Sequence, residues 1–281
     1  MKEISVEQIA ETVKKLCIEA ACNLTEDVEQ LLKKGLEKEE SEFGRYVLEQ
    51  ILDNVKLSRQ ETTAMCQDTG LAVIFAEIGQ DVHIVGGSFA DALNEGVRRG
   101  YEEGFLRKSA VDDPLFIRKN TGDNTPAIIH TEIVPGDKLK IMVVPKGAGS
   151  ENMGALKMLK PSDGVQGVKD FVLKTVTEAG GNPCPPIIVG VGIGGTMEKA
   201  TILAKKALTR KAGEPHPDPH YRALEEELLE KINRSGIGPQ GLGGRVTALA
   251  VHIEAYPTHI ATLPVAVNLN CHAARHAEAI L

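Results

Sequence analysis

Leu71-Ala-Val-Ile-Phe-Ala-Glu-Ile78, a Gly79-Gln-Asp81 turn and Val82-His-Ile-Val-Gly-Gly87 read as two strands joined by a tight connection. Upstream, residues 5–60 are helical in pattern. Ile9, Val13, Leu16 and Cys17 form one apolar stripe and Val28, Leu31, Leu32 and Leu36 another, both near a 3.6-residue period. The amphipathic helix start reaches back into the N-terminal Met1–Ile9 stretch. Downstream, Ser88 caps a helix that runs to Leu106. A polar, turn-rich surface loop follows over 109–126, then two strands, Ala127–Val134 and Lys138–Pro145, linked by Pro135-Gly-Asp137. Lys146–Gly154 has the composition of a flexible loop. Beyond it come a helix over Val165–Ala179, a strand over Ile187–Ile193, and helices over Thr196–Arg210 and Tyr221–Ser235. A glycine-rich connector, Gly236–Gly244, leads to the last strands, Val246–Tyr256 and Ala261–Asn270. Strands in consecutive pairs with helices grouped between them indicate an α+β fold of mixed or antiparallel sheets surrounded by helices. The reading is one domain over 1–281, with a helical N-terminal part over 1–60 and no internal repeat, low-complexity tract or linker.

The 281 residues are 42% hydrophobic and 25% charged, ordinary values for a globular protein. Aromatics are only 4%, so the core is built from Val, Ile, Leu and Ala. A net charge of −7 and a pI near 5.7 argue against a nucleic-acid surface, but leave anionic substrates open because local arginines decide that. No segment approaches the roughly 18 consecutive apolar residues of a membrane span. The N-terminus lacks the apolar stretch of a signal peptide. With five cysteines, an odd number, the expectation is a reducing cytoplasm in which thiols serve metal or catalysis.

Three of those cysteines lie in turn-forming contexts beside apolar runs: Cys66 opens Cys-Gln-Asp-Thr-Gly70, Cys184 sits in Asn-Pro-Cys-Pro-Pro186, and Cys271 follows Asn268-Leu-Asn270. Three such thiols could converge on one soft metal and leave it a ligand short, as in a catalytic centre. Cys17 and Cys22 fall within a helix and read as packing residues. Asp68, two residues after Cys66, shares its side in an extended segment, although an Asp before Thr-Gly is also a common turn former. Gly190-Val-Gly-Ile-Gly-Gly195 matches the dinucleotide fingerprint, but no second strand follows its helix directly, so close strand–helix packing accounts better for the glycines. Lys146–Asn152 is no Walker loop; its backbone amides would make either an anion-binding concavity or a plain hairpin end. Most histidines are bland. His259, after Tyr-Pro-Thr and entering the strand that ends at Cys271, is the exception.

Met65-Cys-Gln-Asp-Thr-Gly70, Lys146-Gly-Ala-Gly-Ser-Glu-Asn152, Cys184-Pro-Pro186, Gly192-Ile-Gly-Gly195, Ser235-Gly-Ile-Gly238 and Val267-Asn-Leu-Asn-Cys271 together resemble the iron–sulfur hydro-lyases. That family includes the class I fumarases and L-tartrate dehydratases, and the resemblance spans nearly the whole chain. It implies the α subunit of a two-subunit enzyme, since the chain ends ten residues after Cys271 (271 to 281). By the same resemblance, Cys66, Cys184 and Cys271 would hold a [4Fe-4S] cluster whose fourth iron is a Lewis acid for the substrate hydroxyl. Asp68 would handle the hydroxyl proton, while Gln67, Arg107, Gly147, Gly149 and His259 would contact a small dicarboxylate. Ala148 stands where some relatives have glycine. A separate β subunit would supply the carbon base, in a dimer of αβ units. Malate–fumarate interconversion is the first expectation for the reaction and L-tartrate dehydration the alternative. A non-catalytic metal-binding module and a nucleotide-binding protein are remoter readings.

Overall fold

The computed structural model describes residues 2–281. Its first elements are β1 (Lys2–Ser5), α1 (Val6–Cys22), α2 (Glu26–Lys38), α3 (Glu42–Glu61), β2 (Leu71–Gly79) and β3 (Val82–Val85). Next come α4 (Phe89–Glu103), β4 (Ile128–Val134), β5 (Leu139–Lys146), the single turn α5 (Ala148–Glu151), β6 (Ala155–Leu159) and α6 (Gly164–Ala179). The chain ends with β7 (Ile187–Gly194), α7 (Met197–Ala207), α8 (Pro219–Asn233), β8 (Ala248–Tyr256), β9 (Leu263–Asn270) and β10 (Ala277–Ile280). These elements form two compact units: Met1–Leu24, Val55–Ala148 and Arg275–Leu281 in the first, Thr25–Asn54 and Gly149–Ala274 in the second.

In the first unit, β10-β5-β2-β4 form a mixed sheet, antiparallel at β10–β5 and β5–β2 and parallel at β2–β4. Helices α1 and α4 pack together, and Ile9, Val13, Leu93, Val97 and Tyr101 are buried in one cluster with Ile74, Leu139 and Ile141. A capping box sets the start of α1. Ser5 Oγ accepts the Gln8 N–H at 3.2 Å and Gln8 Oε1 accepts the Ser5 N–H at 2.9 Å. That frees Lys2–Ser5 to pair in parallel with β3.

In the second unit the order is β6-β9-β7-β8, again antiparallel, antiparallel, parallel. The glycines of β7 explain how α7 is seated. A Cβ on Gly190 would stand 2.2 Å from the Ala204 carbonyl oxygen, and one on Gly192 2.0 Å from that of Ala200. Below the sheet, Val172, Val176, Leu228 and Ile232 bury against Val189, Val267 and Leu269. Glu39, only 2% exposed, accepts N–H groups from Ser41, Arg245 and Val246, and so closes the connector that precedes β8.

The α+β class and the mixed sheets are as expected, but the pairing is not. β2 and β3 do not pair: β2 takes β4 and β5 on its two sides, and β3 takes β1. Likewise β8 and β9 flank β7 rather than each other. The block 1–60 is not wholly helical, since Lys2–Ser5 is a strand, and its helices are shared between the units. In each unit the first strand of the triplet is central, its parallel neighbour comes next in the chain, and the antiparallel neighbour last. The two sheets thus repeat one architecture that the residues do not advertise. Among the described residues no helix is long and apolar enough to cross a membrane.

Candidate functional site

The repeated sheet explains where the cysteine turns fall. In the first unit, the segment Cys66–Gly70 enters the central strand β2 and Lys146 leaves its antiparallel neighbour β5, with Leu71 opposite Lys146. The two loops therefore share one end of the sheet. Asp68 joins them: its Oδ1 accepts the Gly70 N–H at 3.0 Å and its Oδ2 the Ala148 N–H at 2.8 Å. Gly147 lies against that carboxylate, where an added Cβ would approach Oδ2 to 3.1 Å.

The turn is held from behind. Buried Tyr101 donates its hydroxyl to the carbonyls of Thr69 (2.8 Å) and Gly70 (3.1 Å), and burial pushes its ionisation well up, keeping it a donor. Asn124, fully buried, donates Nδ2 to the Gly70 carbonyl at 3.1 Å and accepts the N–H groups of Ser109 and Ala110 on Oδ1. Thr69 Oγ1 donates to the Arg107 carbonyl at 2.7 Å, so the backbone of Arg107 is fixed to the turn while its side chain is exposed. Arg275, 4% exposed, donates Nη2 to the Asp68 carbonyl; its Nε and Nη1 have no hydrogen-bond partner among the described residues. Cys66 is partly exposed, with its thiol 3.5 Å from Gln67 Oε1.

The second unit uses the same sheet end. Cys184 lies three residues before the central strand β7, and Cys271 directly follows its antiparallel neighbour β9, where Ile188 faces Asn270. The His272 N–H donates to the Cys184 carbonyl at 3.3 Å, which ties the two cysteine segments together. Cys184 is exposed and sits at φ +55°, a backbone region uncommon for residues other than glycine. Gly149 packs beside the Asn182 carbonyl, 3.5 Å from where its Cβ would be. Glu151 binds Lys205 Nζ at 2.5 Å and Asn268 Nδ2 at 3.1 Å, which anchors it to α7 and β9. His259 is exposed. Its Nδ1 accepts the Ala261 N–H at 3.1 Å, so the neutral ring carries its proton on Nε2.

All five cysteines are thiols. Burial raises the Cys17 thiol to about 12 and lifts Cys22 as well, which makes both poor thiolate donors. Both belong to the apolar core of the first unit, as expected of packing residues. Cys66, Cys184 and Cys271 are the accessible three. One lies in the first unit and two in the second. Among the described residues no group of three or more His, Cys, Asp or Glu side chains that could hold a metal ion is present. Gln67, Asp68, Arg107 and Gly147 belong with Cys66, and Gly149 and His259 with the other two.

Sequence reading passed over Tyr101, Asn124, Arg275, Gln240 and Glu151. Tyr101 and Asn124 look like ordinary helix and loop residues, and only long-range contacts reveal them. Glu151 lay inside a quoted motif without a role. Arg275 had a usable signal: a lone arginine between Ala273-Ala274 and the last strand, where burial is costly without purpose.

A family model described as fumarate hydratase (Fumerase) matches residues 10–280. A Methanocaldococcus jannaschii protein, provisionally named L(+)-tartrate dehydratase subunit alpha, is 47% identical over 277 residues, covering 96% of each chain. L(+)-tartrate dehydratase subunit alpha of Escherichia coli K12 is 34% identical over 276 residues, 98% of this chain and 91% of that one. The Shigella sonnei protein of the same name matches to the same extent, 34% over 276 residues. With its motifs in order and a match from residue 10 to residue 280, the chain belongs to the fumarate hydratase (Fumerase) family.

Proposed function

We propose that the chain is the α subunit of a two-subunit hydro-lyase that dehydrates L(+)-tartrate. The carrying observation is the near-complete match, at 47% identity, to a relative named as a tartrate dehydratase α subunit. The names of the relatives favour this alternative over malate–fumarate interconversion, the first expectation from sequence. Loss of water from tartrate leaves an enol that tautomerises to a keto diacid, a product that malate and fumarate do not yield.

Cys66, Cys184 and Cys271 are the residues that would hold the iron–sulfur group, which when bound supplies a Lewis-acidic iron for the departing hydroxyl. Asp68 is the candidate to hold the hydroxyl proton. Its carboxylate is fixed by the Gly70 and Ala148 N–H groups, so it is oriented before substrate arrives. Arg107 offers an exposed guanidinium to one substrate carboxylate, a bidentate match. His259 presents Nε2–H as a donor, and Gln67 with the Gly147–Gly149 amides adds further polar contacts. The carbon base and the groups for the second carboxylate come from a separate β subunit.

The test is anaerobic co-purification with the β subunit, followed by assays on L(+)-tartrate, D-tartrate, malate and fumarate. Keto-acid formation from L(+)-tartrate, absent with either subunit alone, is the expected result. A higher kcat/KM for malate or fumarate, or full turnover by this chain without its partner, would overturn the proposal.

A further inference from the structure

The glycine-rich connector before β8 places one side chain, that of Gln240, between the two cysteine segments of the second unit. Its main-chain N–H and its Nε2 both donate to the Pro185 carbonyl, each at 2.8 Å. The same Nε2 lies 3.1 Å from Nδ1 of His272, the residue after Cys271. An amide nitrogen has two protons, and these two acceptors use both. His272 in turn reaches the Cys184 carbonyl through its main-chain N–H at 3.3 Å; its Nδ1, accepting the Gln240 amide proton, has no proton to give that oxygen 3.1 Å away. One side chain thus closes a loop of contacts through Pro185, Cys184 and His272.

The backbone is shaped for this contact. Gln240 sits at φ +53° and Cys184 at φ +55°, both in the left-handed region that residues with a Cβ adopt at a cost. Gly241, at φ +74°, lies so close to Gly181 that an added Cβ would stand 2.5 Å from its Cα. Gly238 folds the connector onto itself, with a Cβ there 2.1 Å from the Gly243 carbonyl carbon. The Thr247 Oγ1 accepts the Gly238 N–H at 3.0 Å and holds that fold in place.

We infer that Gln240 is a positioning residue that holds Cys184 and Cys271 in register as a pair of sulfur donors. The inference rests on the proposed iron–sulfur reading for the use of the pair, but its geometry is a property of this chain alone. It also gives the connector's glycines a purpose: they bring the connector backbone close enough for the Gln240 amide to reach both segments.

The test uses the full chain and a bifunctional thiol reagent, dibromobimane, with the bridge located by peptide mass analysis. In the wild-type chain Cys184 and Cys271 are expected to be bridged to one another. Gln240→Gly removes the side chain while suiting the backbone, and Gln240→Glu keeps the shape but loses the amide protons. Both are expected to slow bridging by about tenfold, the equivalent of one lost hydrogen bond. The protection of Cys17 and Cys22 from alkylation should be unchanged, which a general loosening of the fold would not allow. Anaerobically iron-loaded variants should also lose iron to a chelator faster than the wild type. Unchanged bridging and iron retention in both variants would overturn the inference, as would failure of the wild-type pair to bridge. Absence of tartrate turnover alongside the expected bridging would instead count against the proposed reaction and leave the role of Gln240 standing.

Discussion

Gly147 shows how little room surrounds the Asp68 carboxylate. With 3.1 Å between a new Cβ and Oδ2, Gly147→Ala must displace the carboxylate or the loop. The expected outcome is a fall of about tenfold or more in kcat/KM for the assembled enzyme, with the melting temperature within a degree or two of wild type. A normal kcat/KM would show that the orientation of Asp68 does not matter. The buried thiols should behave oppositely. Cys17→Ala and Cys22→Ala are expected to cost about 1 kcal/mol each, as small core truncations, and to leave bound iron unchanged. At this scale the sequence was informative about types and silent about support. Turn chemistry around Cys66, Cys184 and Cys271 marked them as accessible, and helical spacing marked Cys17 and Cys22 as core. Nothing local marked Tyr101 or Asn124, because each acts on a segment more than thirty residues away, through contacts that only the fold creates; Arg275 stood out as a lone arginine in an apolar stretch, but its partner near Asp68 did not.

At the scale of elements, the close approach of α7 to β7 is a sharp test of the packing. Gly192→Ala would put a Cβ 2.0 Å from the Ala200 carbonyl oxygen, a clash with backbone that side-chain adjustment cannot relieve. A loss of about 3 kcal/mol or more is expected in denaturant unfolding, against about 0.5 kcal/mol for an exposed control such as Lys174→Ala. Glu39 tests the connector by pH. Burial pushes its carboxyl upward, but the N–H groups of Ser41, Val246 and Arg245 outweigh burial and bring it below its usual 4.5. A depressed carboxylate adds stability that is present above the unfolded value and lost as pH falls through the folded one. Glu39→Gln should therefore be clearly less stable than wild type at pH 7, with the gap narrowing as the pH drops below 4.5. A gap that stays constant with pH would mean that the charge of Glu39 is unimportant. Helices were readable because their apolar stripes and caps are local, as at Ser88. Strand partners were not. Alternation says that β2, β4 and β5 are strands, but their order is decided by which faces bury. β1, β6 and β10, of four or five residues, are too short to carry a period.

For the whole molecule, the two units repeat one sheet and use the same end of it for their cysteine turns, a likeness in topology with no counterpart in residue pattern. The accessible thiols and the proposed iron–sulfur reading lead to two linked expectations. An iron–sulfur group with an open corner is labile, so air should inactivate the anaerobically assembled enzyme, and ferrous iron with a thiol reductant should restore it. Undiminished activity after prolonged aeration would speak against such a group. The most direct measurement is iron and acid-labile sulfide in the anaerobically reconstituted full chain, compared across single serine replacements of Cys66, Cys184 and Cys271 and alanine replacements of Cys17 and Cys22. About four iron and four sulfide per wild-type chain are expected, with sharp loss in each of the three serine variants and none in the two alanine variants. Full iron and sulfide in any one of the serine variants, or equal loss across all five, would contradict the assignment of Cys66, Cys184 and Cys271 as its ligands.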